Sequence, residues 1–301
     1  MVKRVAVTGS SGLIGGALRR RLTDRGDTVL RIVRRAPEGP DEVQWHPSRG
    51  ELDPDALRDV DAVVNLAGVG IGDKRWNAEH KREVERSRTD ATGTVARTLV
   101  TVHEQTGRSI RLVSASAVGF YGDRGEQVLT EQSPAGQDFL AGVVTRWEEA
   151  AAPAVEAGLS VAFARTGLVM SPDGGAFAPL LLLGKLGLGG PMAGGREWWP
   201  WITLVDEVNA LVHLIDHVDV TGPVNLVAPS PARQKDISAE LGRALHRPAI
   251  VPAPHFALRL VVGEFADSIV ASQRLEPEVL NRHGFVFEHG DLPGAVRWLV
   301  G

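Results

Sequence analysis

Through the first half of the chain, short runs of β-branched and other apolar residues alternate with stretches whose apolar positions recur at helical spacing. Residues 2–8 form such a run and end at glycines, and Leu13, Ala17, Leu18 and Leu22 then mark one face of a helix, so the chain opens as strand, turn and helix. Further strands are expected at 28–33, 42–45, 61–66, 110–115 and 160–165, with long helices at about 78–105 and 137–157. Alternating strands and helices predict a doubly wound parallel α/β sheet. The second half is more broken. Residues 171–201 carry Gly-rich turns around the apolar run 178–183; helices are expected at 204–217, 235–245 and 255–271, a sheet strand at 223–227 and a short strand at 285–287. Residues 1–166 with about 203–230 are expected to form a dinucleotide-binding domain, and about 167–202 with 231–301 a smaller, mainly helical substrate lobe.

The turn after the first strand gives this pattern a chemistry. Gly9-Ser10-Ser11-Gly12-Leu13-Ile14-Gly15 places three glycines where a tight turn, a close backbone approach to pyrophosphate and close helix–strand packing each need one, with a helix N-terminus facing the anion. The expected fold is therefore Rossmann-like. Where an NAD-preferring site carries an acidic residue at the end of the second strand, this chain has Arg34 and Arg35. A guanidinium cannot accept ribose hydrogen bonds but grips a 2′-phosphate, so NADP(H) is expected over NAD, with Arg34 the nearer candidate and a solvated basic loop the alternative.

Composition narrows the chemistry further. With no cysteine, the chain has no disulfide, zinc-thiolate site, iron–sulfur cluster or thiol nucleophile, and His46, His80 and the other histidines show no metal-ligand spacing. A formal charge of −4 gives no basic face for nucleic acid, and no apolar stretch approaches the ~20 residues that span a bilayer. A soluble cytoplasmic protein with a small-molecule substrate is expected, its oligomeric state open and a homodimer included.

Several stretches resemble the extended short-chain dehydrogenase/reductase superfamily: the glycine turn, Asn65-Leu66-Ala67-Gly68, Ser114-Ala115-Ser116, Tyr121-Gly122, and 201–208. Lys74-Arg75-Trp76, Lys81, Ser87-Arg88 and a tail running from Pro252 through Gln273-Arg274 to Gly284-Phe285 are similar to its atypical "family epimerase" subgroup, which carries its own C-terminal module. The resemblance implies that Asn65, Ala67, Gly68 and Leu168 line the coenzyme. It also implies that Ser116 orients a substrate carbonyl or hydroxyl, unless it satisfies backbone at a strand end, and that Asp206 orders the chain.

One departure stands out. The superfamily's hydride-transferring members use Tyr-x-x-x-Lys on the helix after the fifth strand, whereas that helix here has Phe139 and Val143 at the matching positions. Tyr121 is the only tyrosine, and Gly125 stands four residues after it, so no such pair exists. Substitutes for the proton carrier are Tyr121, which the resemblance otherwise places in loop structure, Lys81, which with Arg88 shares one helix face at a spacing of seven residues, and water. Lys81 is alternatively an anion anchor or part of a solvated face. Arg165, at a strand's carboxyl end, binds a substrate anion or pairs with a buried carboxylate; Arg196 with Trp198, Trp199 and Trp201 forms a substrate wall or packing between lobes. The expected activity is an NADP(H)-dependent oxidoreductase or epimerase-like reaction on a small polar, sugar-like substrate. The alternative is a catalytically silent NADP(H)-sensing module that regulates a protein partner.

Overall fold

The structure, a computed structural model, describes residues 2–301. In chain order it runs β1 (Arg4–Thr8), α1 (Leu13–Asp24), β2 (Thr28–Val33) and β3 (Glu42–His46), with a short β4 (Glu51–Leu52) folded back antiparallel on β3. Then follow β5 (Ala62–Asn65), the long α2 (Ala78–Thr106), β6 (Arg111–Ala117), β7 (Val128–Leu129), α3 (Phe139–Glu149), α4 (Ala152–Glu156) and β8 (Val161–Thr166). The remainder comprises β9 (Leu168–Met170), α5 (Phe177–Lys185), β10 (Trp198–Trp199), β11 (Trp201–Thr203), α6 (Leu204–Asp216) and β12 (Gly222–Leu226). It ends with β13 (Ala232–Arg233), α7 (Gln234–Ala244), α8 (His255–Val262), α9 (Phe265–Ile269), β14 (Arg274–Leu275), α10 (Glu278–Arg282) and α11 (Leu292–Val300).

The main sheet has the order β12-β8-β6-β5-β1-β2-β3-β4 and is parallel apart from β4. Alternation along each strand divides its two faces. Val5, Val7, Ala62 and Val64 meet α1 and α6 through Leu18, Leu22, Val208 and Leu211, while Ala6, Val63 and Leu112 meet α2 through Val95, Leu99 and Val102. Because β1 lies between β2 and β5, the chain reverses direction across the sheet there, and the carboxyl ends of β1 and β5 frame a crevice. A third apolar cluster, built from Phe177, Leu181, Trp199, Trp201, Ile237, Leu241, Val296 and Leu299, ties α5, α7 and α11 together. No helix among the described residues is long and apolar enough to cross a membrane.

Three expected elements differ. The helix at 137–157 is two, because Pro153 has no N–H to continue the ladder beyond α3. The helix at 255–271 breaks at Gly263, whose φ of +67° separates α8 from α9. Residues 285–287 form no strand; Phe285 instead packs edge-to-face on Phe287 and His213.

Candidate functional site

The glycine turn is built as an anion cradle. Gly9 has φ +64°, and a Cβ there would lie 2.7 Å from the Leu66 carbonyl oxygen; one at Gly15 would lie 2.2 Å from that of Gly9. These two glycines are required by packing within the chain. Gly12 is different, since its Cβ would meet only the Gly9 oxygen, at 3.4 Å, so nothing internal demands the open space above it. Gly12 caps α1 without a side chain, the first turn has no acidic residue, and the N–H groups of Leu13, Ile14 and Gly15 find no acceptor among the described residues. Orphan donors at a helix start beside a bare backbone fit a pyrophosphate.

Thr8 and Asn65 fix the neighbouring strand ends. The Thr8 hydroxyl donates to Asn65 Oδ1 at 2.7 Å and accepts from the N–H groups of Leu66 and Ala67, while Asn65 Nδ2 donates to Thr92. Asn65 is fully buried, so its side chain braces the crevice floor and cannot line the coenzyme as the family pattern implies; the backbone from Leu66 to Gly68 forms the wall. Beneath Gly68 lies Arg88, whose Nη1 donates to the Val69 and Val84 carbonyls and whose guanidinium faces the Trp147 ring. Burial lowers its pKa to about 10, still far above neutrality, so the crevice holds a permanent positive charge with no carboxylate in ion-pair range among the described residues.

At the outer end of β2 the two expected arginines separate. Arg35 makes a bidentate pair with Glu42 at 2.7 Å and a second contact with Glu38, which corrects its assignment as a phosphate ligand. Arg34 is exposed and forms no ion pair among the described residues. Arg31, hidden within an apolar strand pattern, reaches both Glu42 at 2.6 Å and the Ser10 hydroxyl at 3.5 Å, and so presents a third cation toward the turn. Ser11 stands exposed at the tip of the turn. The Arg35 hydrogen bonds, helped by the Glu38 N–H and the Arg31 charge, hold the Glu42 carboxyl at about 2.

Across the crevice, several expected catalytic and substrate groups belong to a buried network. Ser116 is 3% exposed and its hydroxyl donates to Glu148 at 2.6 Å. Arg165 grips the same carboxylate with two 2.8 Å hydrogen bonds and donates to Tyr121 Oη at 3.0 Å, its guanidinium 3.5 Å from the centre of the Phe120 ring. Of the two roles expected for Arg165, pairing with a carboxylate is the one seen. Tyr121 is completely buried and donates to Asn225 at 2.6 Å, which commits its proton inside the protein; burial pushes its phenol up to about 12. Leu168 lies just beyond β8, half-buried, its N–H donating to the Pro200 carbonyl.

The tryptophans do not form a wall. Trp199 is buried, its indole N–H donating to the Ile269 carbonyl and its ring edge-to-face with Phe177, whereas Trp198 donates to Glu126 and Trp201 to the Ser230 carbonyl. Arg196 is exposed beside them, offering its carbonyl to Arg233. Lys81 is drawn away from a solvated face: its ammonium lies over Trp76 and Phe139 and pairs with Glu264. Asp206 orders the chain, accepting from Thr203 and from the N–H groups of Glu288 and His289.

Residues 5–227 match the family model described as the NAD dependent epimerase/dehydratase family. The chain belongs to that family. Its residues 253–299 match a further model, a domain of unknown function. Within the family, an epimerase family protein of Mycobacterium bovis is 43% identical over 97% of this chain and 96% of its own length. The human epimerase family protein SDR39U1, solved with NADPH, superposes with a TM-score of 0.87 at 30% identity, covering 99% of each chain. A nucleoside-diphosphate sugar epimerase from Corynebacterium glutamicum superposes at 0.82 with 34% identity over 100% of this chain and 59% of that one.

Proposed function

We propose that this family member is an NADP(H)-dependent oxidoreductase or epimerase-like enzyme acting on a small polar, sugar-like substrate. The observation that carries the reading is the cradle of free N–H groups above Gly12 together with an unpaired Arg34 where a 2′-phosphate would come. Bound there, the coenzyme supplies hydride chemistry at its nicotinamide. Leu13, Ile14 and Gly15 hold pyrophosphate, and Arg34 reads the 2′-phosphate with Arg31 behind it. The NADPH in the human relative agrees with this preference.

Arg34→Ala is expected to weaken NADPH binding at least ~10-fold while leaving NADH binding within about twofold, since only one carries the 2′-phosphate. Coenzyme fluorescence titration reads both. Equal losses for the two coenzymes, or none, contradict the assignment. A second reading, a silent NADP(H)-sensing module, is favoured by Phe139 and the buried Val143, neither of which carries a proton. It requires partner affinity to change with coenzyme occupancy, and a protein partner captured equally with and without NADPH excludes it.

A further inference from the structure

Of the carriers expected for the cleft, Tyr121, Lys81 and water, geometry leaves one side chain. Tyr121 is buried within the network beneath β8, the Ser116 hydroxyl is committed to Glu148, and the Arg88 guanidinium stays charged at any physiological pH. Lys81 remains, in the first turns of α2. Seven residues separate it from Arg88, close to two helical turns, so both project from one face of α2, Arg88 beneath Gly68 and Lys81 about 10 Å further toward the N-terminus of the helix.

There the ammonium sits 5.2 Å from the Phe139 ring centre and 5.3 Å from that of Trp76, and the two rings meet edge-to-face at 5.3 Å. Its counter-ion comes from a distant part of the chain. Glu264, at the junction of α8 and α9, pairs with Lys81, and the next residue, Phe265, packs on Trp76 with ring centres 5.3 Å apart. Both belong to the segment matched by the domain of unknown function. A lysine on a solvated helix face extends into water, but this one is folded over two aromatic rings and tied across to the C-terminal module, with 28% of its side chain still exposed.

Resting on the coenzyme reading above, we infer that Lys81 is the proton-transferring residue of this enzyme, and that the C-terminal module serves the reaction by placing Glu264 and Phe265 against it. In the reductive direction Nζ gives its proton to the carbonyl oxygen as the carbonyl carbon takes up hydride from NADPH. The products are an alcohol, NADP⁺ and a neutral amine, which regains a proton from water. In the oxidative direction the neutral amine takes the hydroxyl proton. Glu264 is a positioning residue: its carboxylate holds the ammonium over the rings.

The chain has five lysines, Lys3, Lys74, Lys81, Lys185 and Lys235, so reductive ¹³C-methylation gives a small set of dimethyl-lysine NMR signals, of which the one missing from Lys81→Arg belongs to Lys81. NADP⁺ and NADPH share every phosphate and differ by one charge on the nicotinamide ring. The Lys81 signal is expected to take different positions with the two saturating coenzymes while the other four lysines coincide, and to move in Glu264→Gln without coenzyme. Lys81→Met is expected to bind NADPH within about twofold of wild type and to oxidise it at least ~100-fold more slowly with any carbonyl the wild type reduces. A Lys81 signal identical for both oxidation states in coenzyme-saturated protein, or turnover by Lys81→Met at the wild-type rate, overturns the inference. An unmoved signal in Glu264→Gln overturns the part given to Glu264. Absence of coenzyme saturation in wild-type fluorescence titrations is a separate result, one that removes the coenzyme reading itself.

Discussion

Tyr121 shows how one side chain changes meaning when its partners become visible. As a lone phenol near a strand end it is the natural substitute for a missing acid, yet Asn225 accepts its proton at 2.6 Å and Arg165 donates to its oxygen at 3.0 Å. Asn225 is itself held, its Nδ2 donating to the Glu276 carbonyl and its N–H to Glu131. Asn225 therefore joins β12 of the main sheet to the segment entering α10, with Tyr121 holding its side chain in place. Removing the hydroxyl strands a buried acceptor on Asn225 and a buried donor on Arg165, which costs about 1–3 kcal/mol. Tyr121→Phe is thus expected to lower the unfolding midpoint in urea while NADPH affinity stays within about twofold. A variant as stable as wild type contradicts the bracing role, and one that keeps its stability but loses turnover restores the phenol to catalysis.

At the scale of elements, the turn between β1 and α1 separates what packing requires from what a ligand requires. Gly15→Ala drives a Cβ into the Gly9 carbonyl at 2.2 Å, so the backbone must shift, at a cost of about 1–3 kcal/mol, and coenzyme binding falls with it. Gly12→Ala meets only a 3.4 Å contact. It is expected to change stability by no more than about 1 kcal/mol, yet to weaken NADPH at least ~10-fold by filling the space over the free N–H groups. Thermal melts beside coenzyme titrations check the pair, and equal coenzyme losses at equal stability losses would mean that the turn is merely structural. This turn was legible in the sequence because its residues are contiguous and their periodicity changes at the glycines. So were the strands of the sheet and the long α2, whose apolar alternation and helical spacing are local properties. The far side of the cleft was not. Ser116, Glu148 and Arg165 come together from β6, α3 and β8, and Lys81 meets Glu264 across 183 positions, so no local spacing announces either group. Arg31 has no local signal either, because a charged residue inside an apolar strand run reads as an interruption without its Glu42 partner.

Over the whole molecule, the junction between the sheet and the second half of the chain stores a pH dependence. Glu207 is fully buried in the first turn of α6, accepting one hydrogen bond from Thr166 at 2.7 Å, and its Oε2 has no partner among the described residues. Burial pushes its pKa up from 4.5 to about 8. Between those values the native protein retains a proton that the unfolded chain has released, so the native state binds more protons and stability falls as pH rises across that window. Below it both states are protonated and the effect vanishes; above it both are ionised and the loss is complete. Glu207→Gln keeps the shape and the acceptor for Thr166 but removes the ionisation. Its melting temperature is expected to match wild type within about 2 °C at pH 4.5 and to exceed it by roughly 5–9 °C at pH 8.5. Melts of both proteins from pH 4.5 to 9 measure the difference directly. A constant gap across that range would place the Glu207 ionisation outside the window, and the carboxyl would then be an ionised member of the core whose missing partner is a bound water or ion.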